Sequence, residues 1–198
     1  MEHVDVIVLG AGIVGVSSAW HLLKRGKKVA LVDRRGPGEE TSFGNAGVVE
    51  RDGFLPMSFP QKFRDLLKYA RNDRPELHYH PGFLPFVASY LVQMKRGSHP
   101  DRREAYAAAM APLMARTVEE HRELAAAAGA AHLFRENGGL RLFRTEAGFN
   151  YGKASRDFAD RYGARYAVLT PAEVSEIEPH VKPVFHRAVH WVDALSVS

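Results

Sequence analysis

An α/β fold is predicted for this chain by three features near its start. Residues 4–9, VDVIVL, form a β-branched and aliphatic run that ends at glycine, as a strand does. From Ile13 to Arg25 the apolar residues Val16, Trp20 and Leu23 recur at helical spacing. Ala19 and Leu22 widen that face, and Gly26 closes the helix. A second aliphatic run, KKVALVD (27–33), follows directly. Strand, helix and strand in about thirty residues make a βαβ unit with a parallel pair. Both strands read as buried.

The bulk composition sets limits on the rest. A chain of 198 residues can form one substantial core, or one domain with part of another. Its 45% hydrophobic and 25% charged content is that of a globular protein. There is no cysteine, which excludes a disulfide scaffold, a thiolate zinc site, an iron–sulfur cluster and a cysteine nucleophile. The net charge of +4 is small and no dense Lys/Arg block occurs, so no nucleic-acid partner is expected. Glu2 and Asp5, with no Lys or Arg ahead of the apolar run, argue against a signal peptide. No run approaches the ~20 apolar residues of a membrane span. The longest, FLPFVASYLVQM (83–94), reads as a buried helix.

Further along, residues 34–58 are a Gly/Pro-punctuated loop, and 59–71 look helical, with Phe59, Phe63, Leu66, Leu67 and Ala70 on one side. Residues 102–128 read as one Ala-rich helix ending at Gly129. GGLRLFRTE (138–146) is a strand, a helix follows at about 146–162, and VFHRAVHWV (184–192) alternates as another strand. In TPAE, Thr170 is an N-cap, Pro171 fits the first turn and Glu173 completes a capping box. Three segments result: a βαβ unit and its loop (1–58), a helical segment (59–137), and strands and helices of a partial second domain (138–198).

Chemistry concentrates between the first strand and its helix, at GAGIVG. In this Rossmann-like context Gly10 permits the tight turn, Gly12 lets a pyrophosphate approach, and Gly15 lets the helix pack on the strands. The helix N-terminus, at Ile13 and Val14, offers N–H groups and a partial positive charge to phosphate. Asp33, at the end of the second strand, can accept the ribose hydroxyls of an adenosine. Its charge disfavours a 2′-phosphate, hence NADP. Arg34 and Arg35 argue the other way but read as solvated loop charges, with an Arg34 backbone contact to the adenosine.

After that strand, a plain NAD-binding domain enters another crossover helix. This chain instead displays ETSFGNAG (40–47). Together with GAGIVG, LVDRR, VGVSSAWHL, GGLRLFRTEAGF (138–149), EVSEIEPHV (173–181) and HWVDALSVS (190–198), this loop resembles the D-amino-acid dehydrogenase branch of the D-amino-acid oxidase-like (DAO) flavoproteins. The resemblance spans nearly the whole chain and corresponds to the N-terminal half of that family. It implies an α/β fold: a Rossmann-like FAD-binding βαβ unit plus part of an α+β substrate-side domain, incomplete relative to the family.

The resemblance also implies FAD as cofactor. Its contacts are Gly10, Gly12, Ile13, Val14, Gly15, Asp33, Arg34, Thr41, Ser42, Asn45, Ala46, Gly47 and Val48. The activity implied is hydride transfer from the Cα of a D-amino acid or related amine to the flavin. The resulting imine hydrolyses to a 2-oxo acid and ammonia. The substrate-carboxylate anchors and the cover over the flavin belong to a C-terminal half, in the same or another chain. No catalytic residue is therefore assigned, and residues 1–198 are expected to be inactive alone. A cytoplasmic protein with at most peripheral contact to the inner membrane face is implied. A non-catalytic FAD- or nucleotide-binding subunit and an NAD-dependent enzyme remain as alternatives.

Other polar residues read as structural. His78 and His80 share a strand face without a third ligand, so no metal site is assigned. His186 and His190 read as sheet residues, Arg141 and Arg144 as solvated strand charges, and Phe143 and Trp191 as core.

Overall fold

The computed structural model describes residues 3–55, 59–60, 63–73 and 77–198. Strand β1 (Val6–Leu9) leads into helix α1 (Ile13–Lys24), and strand β2 (Val29–Val32) returns beside β1. The pair is parallel, with Val6 opposite Val29 and Leu9 opposite Val32. The strands are less buried than their sequence suggests. Val8 faces α1, whereas Ile7 and Leu9 point to the other face, where Leu9 is 81% exposed. A continuous apolar run does not distinguish a strand covered on both faces from one covered on one.

Strand β3 (Val48–Val49) and helix α2 (Phe63–Ala70) come next. The helix expected over 59–71 is thus shorter; 59–60 are not helical, and 61–62 lie outside the described residues. Helix α3 (Leu84–Gly97) carries the apolar run expected to be buried, yet none of its residues is buried, and Phe86 is 78% exposed. Its apolar residues spread too far around the axis for one packing face to cover.

The Ala-rich segment forms two helices, α4 (Pro100–Met114) and α5 (Thr117–Ala127), where one was expected. The helix runs on through Pro112 and ends in a tightened turn at 115–116, where the Arg116 N–H donates to the Leu113 carbonyl at 3.1 Å. Thr117 Oγ1 then donates to the Leu113 carbonyl at 3.1 Å across the gap.

Strands β4 (Phe134–Arg135) and β5 (Gly139–Phe143) follow, then helices α6 (Glu146–Tyr151) and α7 (Lys153–Tyr162), divided at Gly152 where one helix was expected. Strand β6 (Tyr166–Leu169), helix α8 (Pro171–Ile177), strand β7 (Arg187–Trp191) and strand β8 (Leu195–Val197) complete the chain. The capping box at Thr170 and Glu173 is formed in full.

The chain divides into two units. The first comprises residues 1–48, 121–135 and 196–198. It holds the βαβ unit and an apolar groove of about 330 Å³ between α1, β2 and the end of α5, lined by Trp20, Leu23, Leu31 and Leu124 among others. Lys24 pairs with Glu123 at its edge. In the same unit β4 pairs antiparallel with the end of β8, Phe134 opposite Val197.

The second unit comprises residues 49–120 and 136–195. Its sheet runs β5–β7–β6, antiparallel, with Val189 opposite both Arg141 and Val168. The alternation of β7 separates two apolar clusters. Val189 and Trp191 pack with Phe54, Ala107 and Ala159, while Ala188 packs with Val174 and Phe185. Val174 is fully buried, and burying such a side chain is worth about 1.5–3 kcal/mol. Phe143 packs against the first cluster, so it and Trp191 are core residues.

Asp193 ties β6 to the turn after β7. Its buried carboxylate accepts from the Arg165 backbone N–H at 2.9 Å and from Arg165 Nε and Nη2 at 2.9 and 2.6 Å. Burial alone would raise this carboxyl, but the bonds from Arg165 outweigh it and hold it below the ordinary range. A carboxyl lowered in the folded state stabilises above its unfolded value, and that contribution is lost as pH falls through the folded value. Asp193→Asn is expected to cost roughly 1 kcal/mol at neutral pH, since Arg165 is solvent-exposed. Near pH 3 the cost should be smaller. Urea unfolding at both pH values tests this; an equal loss at each would assign the effect to packing instead of charge.

Candidate cofactor-binding site

The site lies wholly in the first unit, at the β1–α1 turn. Gly10 adopts φ 103° and Gly15 brings α1 against it. A Cβ on Gly15 would sit 1.7 Å from the Gly10 carbonyl oxygen, so no other residue fits there without moving the helix. Gly12 is the N-cap of α1 and has no side chain to cap it. The missing oxygen comes from far along the chain: the Ile13 N–H donates to Ser42 Oγ at 2.9 Å. Ser42 thereby satisfies one of the N–H groups that a helix start leaves without an intrahelical partner.

Asp33 reaches the same turn from the end of β2. The Ala11 N–H donates to Asp33 Oδ2 at 2.6 Å, and the Arg35 N–H donates to Oδ1 at 2.9 Å. These bonds, the one from Ala11 foremost, hold its carboxyl below the ordinary range. It is therefore charged at neutral pH. Each oxygen keeps a further lone pair for an outside donor. The Gly38 N–H also donates to the Ala11 carbonyl at 2.9 Å, so the loop after β2 is fastened to the turn from both sides.

The loop 41–48 is shaped from within. Asn45 Nδ2 donates to the Ser42 carbonyl at 2.9 Å, and Asn45 Oδ1 accepts from the Gly47 N–H at 2.8 Å. The Asn45 amide is thus spent on the loop's own shape. Gly47, at φ 61°, lies against β8; a Cβ there would be 2.6 Å from the Val197 carbonyl oxygen. Thr41, Ala46 and Val48 are exposed, as are Ile13 and Val14 at the helix start. Arg34 and Arg35 are exposed and both meet Glu40, a partner that sequence reading did not single out. Its place beside the hydroxyl pair Thr41–Ser42, close to two arginines, was the available signal.

These residues fit the ADP part of a dinucleotide cofactor. A narrow glycine-flanked turn, a helix start and a charged carboxylate come together in one place. Over residues 5–197 the sequence matches the family described as FAD dependent oxidoreductase (DAO). The chain belongs to that family. Its members depend on FAD, and the cofactor of this chain is FAD.

The D-amino acid dehydrogenase of Neisseria meningitidis serogroup A / serotype 4A is 33% identical over 175 residues, covering 88% of this chain and 42% of that protein. The fold is similar to glycine oxidase from Geobacillus kaustophilus (TM-score 0.59, 20% identity), covering 100% of this chain and 41% of that one. It is similar also to L-alpha-glycerophosphate oxidase from Mycoplasma pneumoniae with FAD bound (TM-score 0.54, 15% identity), covering 100% of this chain and 39% of that one. The chain therefore spans about two fifths of the length of these relatives.

The other polar residues named from sequence lie in the second unit. Arg141 Nη2 is 3.4 Å from Asp52 and its guanidinium lies 5.8 Å from the Trp191 ring centre. Arg144 is exposed. His190 Nε2 is 3.2 Å from the Asn137 carbonyl oxygen, and His186 meets the Phe149 ring edge-on. His78 Nδ1 is 3.1 Å from the Asn72 carbonyl oxygen. Among the described residues, no helix is long and apolar enough to cross a membrane.

Proposed function

We propose that this chain is the cofactor-binding portion of an FAD-dependent dehydrogenase that oxidises D-amino acids or related amines. The observation that carries the reading is the joint fastening of the β1–α1 turn by Asp33 and Ser42. It holds the start of α1, with glycine at its N-cap, beside a charged carboxylate. On this reading the turn from Gly10 to Gly15 faces the pyrophosphate, with the Val14 and Gly15 N–H groups as donors. Asp33 accepts the adenosine ribose hydroxyls. Arg34 lies beside the adenosine through its backbone. Thr41, Ser42, Ala46, Gly47 and Val48 line the ribityl chain and flavin, and Asn45 holds that loop in shape.

FAD, when bound, supplies the acceptor for the hydride leaving the substrate Cα. Residues 1–198 position it, and no catalytic residue is assigned among them. The choice of D-amino acids rests on the ETSFGNAG loop and on the similarity to the Neisseria dehydrogenase. The substrate anchors belong, on this reading, to the part of the relatives that this chain does not span.

Titration of apoprotein with FAD tests the site. Asp33→Ala is expected to weaken FAD binding on the order of ten- to a hundredfold, because a charged hydrogen-bond acceptor is lost. Asp33→Glu should cost less, since the charge is kept. Alanine tolerated within about twofold would make Asp33 a surface acid and sink the assignment. Dye reduction by the complete protein with paired D- and L-amino acids tests the substrate. FAD binding with no reduction by any of them would favour the non-catalytic subunit.

A further inference from the structure

Three charges gather beside the proposed ribose acceptor, Asp33. Arg34 Nε donates to Glu40 Oε1 at 2.8 Å, and Arg35 Nε lies 3.1 Å from the same oxygen. Asp33 accepts from the Arg35 backbone N–H. Asp33 and Glu40 therefore balance Arg34 and Arg35. Glu40 is the better shielded member of its pairs, with a side chain 33% exposed against 77% for Arg34 and 61% for Arg35.

This arrangement bears on nucleotide selection. Two guanidinium groups next to a ribose-binding position are what a 2′-phosphate would seek, because arginine pairs with phosphate through charge and paired N–H donors. Here one oxygen of Glu40 engages both. A 2′-phosphate would have to displace that carboxylate and stand near it and Asp33, and like charges brought together are unfavourable. Asp33 alone would leave the cluster at net +1, attractive to an anion. With Glu40 the cluster is neutral.

We propose that Glu40 is a specificity-determining residue that occupies Arg34 and Arg35 and so keeps the adenosine site closed to 2′-phosphorylated nucleotides. The proposal rests on the placement of the adenosine ribose at Asp33. Glu40 also anchors the start of the flavin loop, since the Phe43 N–H donates to its carbonyl at 2.9 Å. That backbone bond survives a side-chain change, so a side-chain variant isolates the charge.

Two probes differ only in the phosphate: ADP-ribose and 2′-phospho-ADP-ribose, each titrated into apoprotein by calorimetry. The wild type should bind the first and discriminate against the second. Glu40→Gln should narrow that discrimination by roughly three- to tenfold, the scale of an exposed ion pair acting on a multiply charged group. The narrowing should shrink as salt is raised. The double variant Glu40→Gln/Arg35→Gln restores neutrality and should restore discrimination, which a merely structural role for Glu40 would not do. An unchanged ratio in Glu40→Gln, with ADP-ribose still bound, would overturn the role of Glu40 alone. Failure of the wild type to bind either ADP-ribose or FAD would overturn the site itself, and this proposal with it.

Discussion

Gly15→Ala is expected to abolish FAD binding and to destabilise the first unit. A methyl at this position would lie 1.7 Å from the Gly10 carbonyl oxygen and 2.8 Å from its carbon. Both are backbone atoms, so no side-chain rotation relieves the overlap. Either α1 moves away from β1 or the turn at Gly10 opens. Forcing extra volume into a close-packed contact typically costs about 1–3 kcal/mol, and a backbone clash falls at the upper end. The consequence for binding is larger than for folding. Displacing α1 separates Ala11 from Asp33 and Ile13 from Ser42, bonds of 2.6 and 2.9 Å that tolerate little drift. A loss of more than about a hundredfold in FAD affinity is expected, over about 2.8 kcal/mol at 1.4 kcal/mol per factor of ten. Thermal unfolding and FAD titration of the same preparation check both parts. Wild-type affinity in Gly15→Ala would mean that the turn is not in contact with the cofactor.

The βαβ unit was legible in the sequence because strand, helix and glycine turn each carry a local signal. The capping box at Thr170 was legible for the same reason. Long-range relations were not. Val8 and Leu9 are equally apolar, and nothing local tells which faces α1 and which is exposed. The helix break at 115–116 has no local mark, since α4 runs on through Pro112 and the alanine-rich sequence reads as helix on both sides. Strands β3, β4 and β8, of two or three residues each, are too short to show any periodicity. At the site, the glycine turn and Asp33 were recognisable from spacing. That Ser42 caps α1 from 29 residues away, and that Asn45 turns its amide inward, depend on how the loop folds back. Glu40 escaped notice because its meaning lies in two arginines brought to one oxygen.

Gly12→Val is expected to remove FAD binding while leaving the fold nearly intact, which sets it apart from Gly15→Ala. Gly12 sits at φ −75° and ψ −179°, a conformation open to any residue, so valine brings no backbone strain. Its Cβ would lie 3.1 Å from Ser42 Oγ, a side-chain atom that can yield. Yielding, however, draws Ser42 away from the Ile13 N–H and strips the cap from α1. That loss typically costs about 1 kcal/mol of stability. The two methyl groups then fill the space above the helix start, where a pyrophosphate must come close to backbone N–H groups. Binding should fall by more than about a hundredfold, against about tenfold for Gly12→Ala, which adds one methyl. The pair Ser42→Ala and Gly12→Ala/Ser42→Ala separates the two effects, since the serine hydroxyl, with its cap and its own cofactor contact, is absent from both. The two should melt alike, because no crowding of Ser42 Oγ is left, yet the double variant should bind FAD about tenfold more weakly. Equal affinity in the two would show that the glycine is needed only to accommodate Ser42. A cofactor approach at Gly12 would then be excluded.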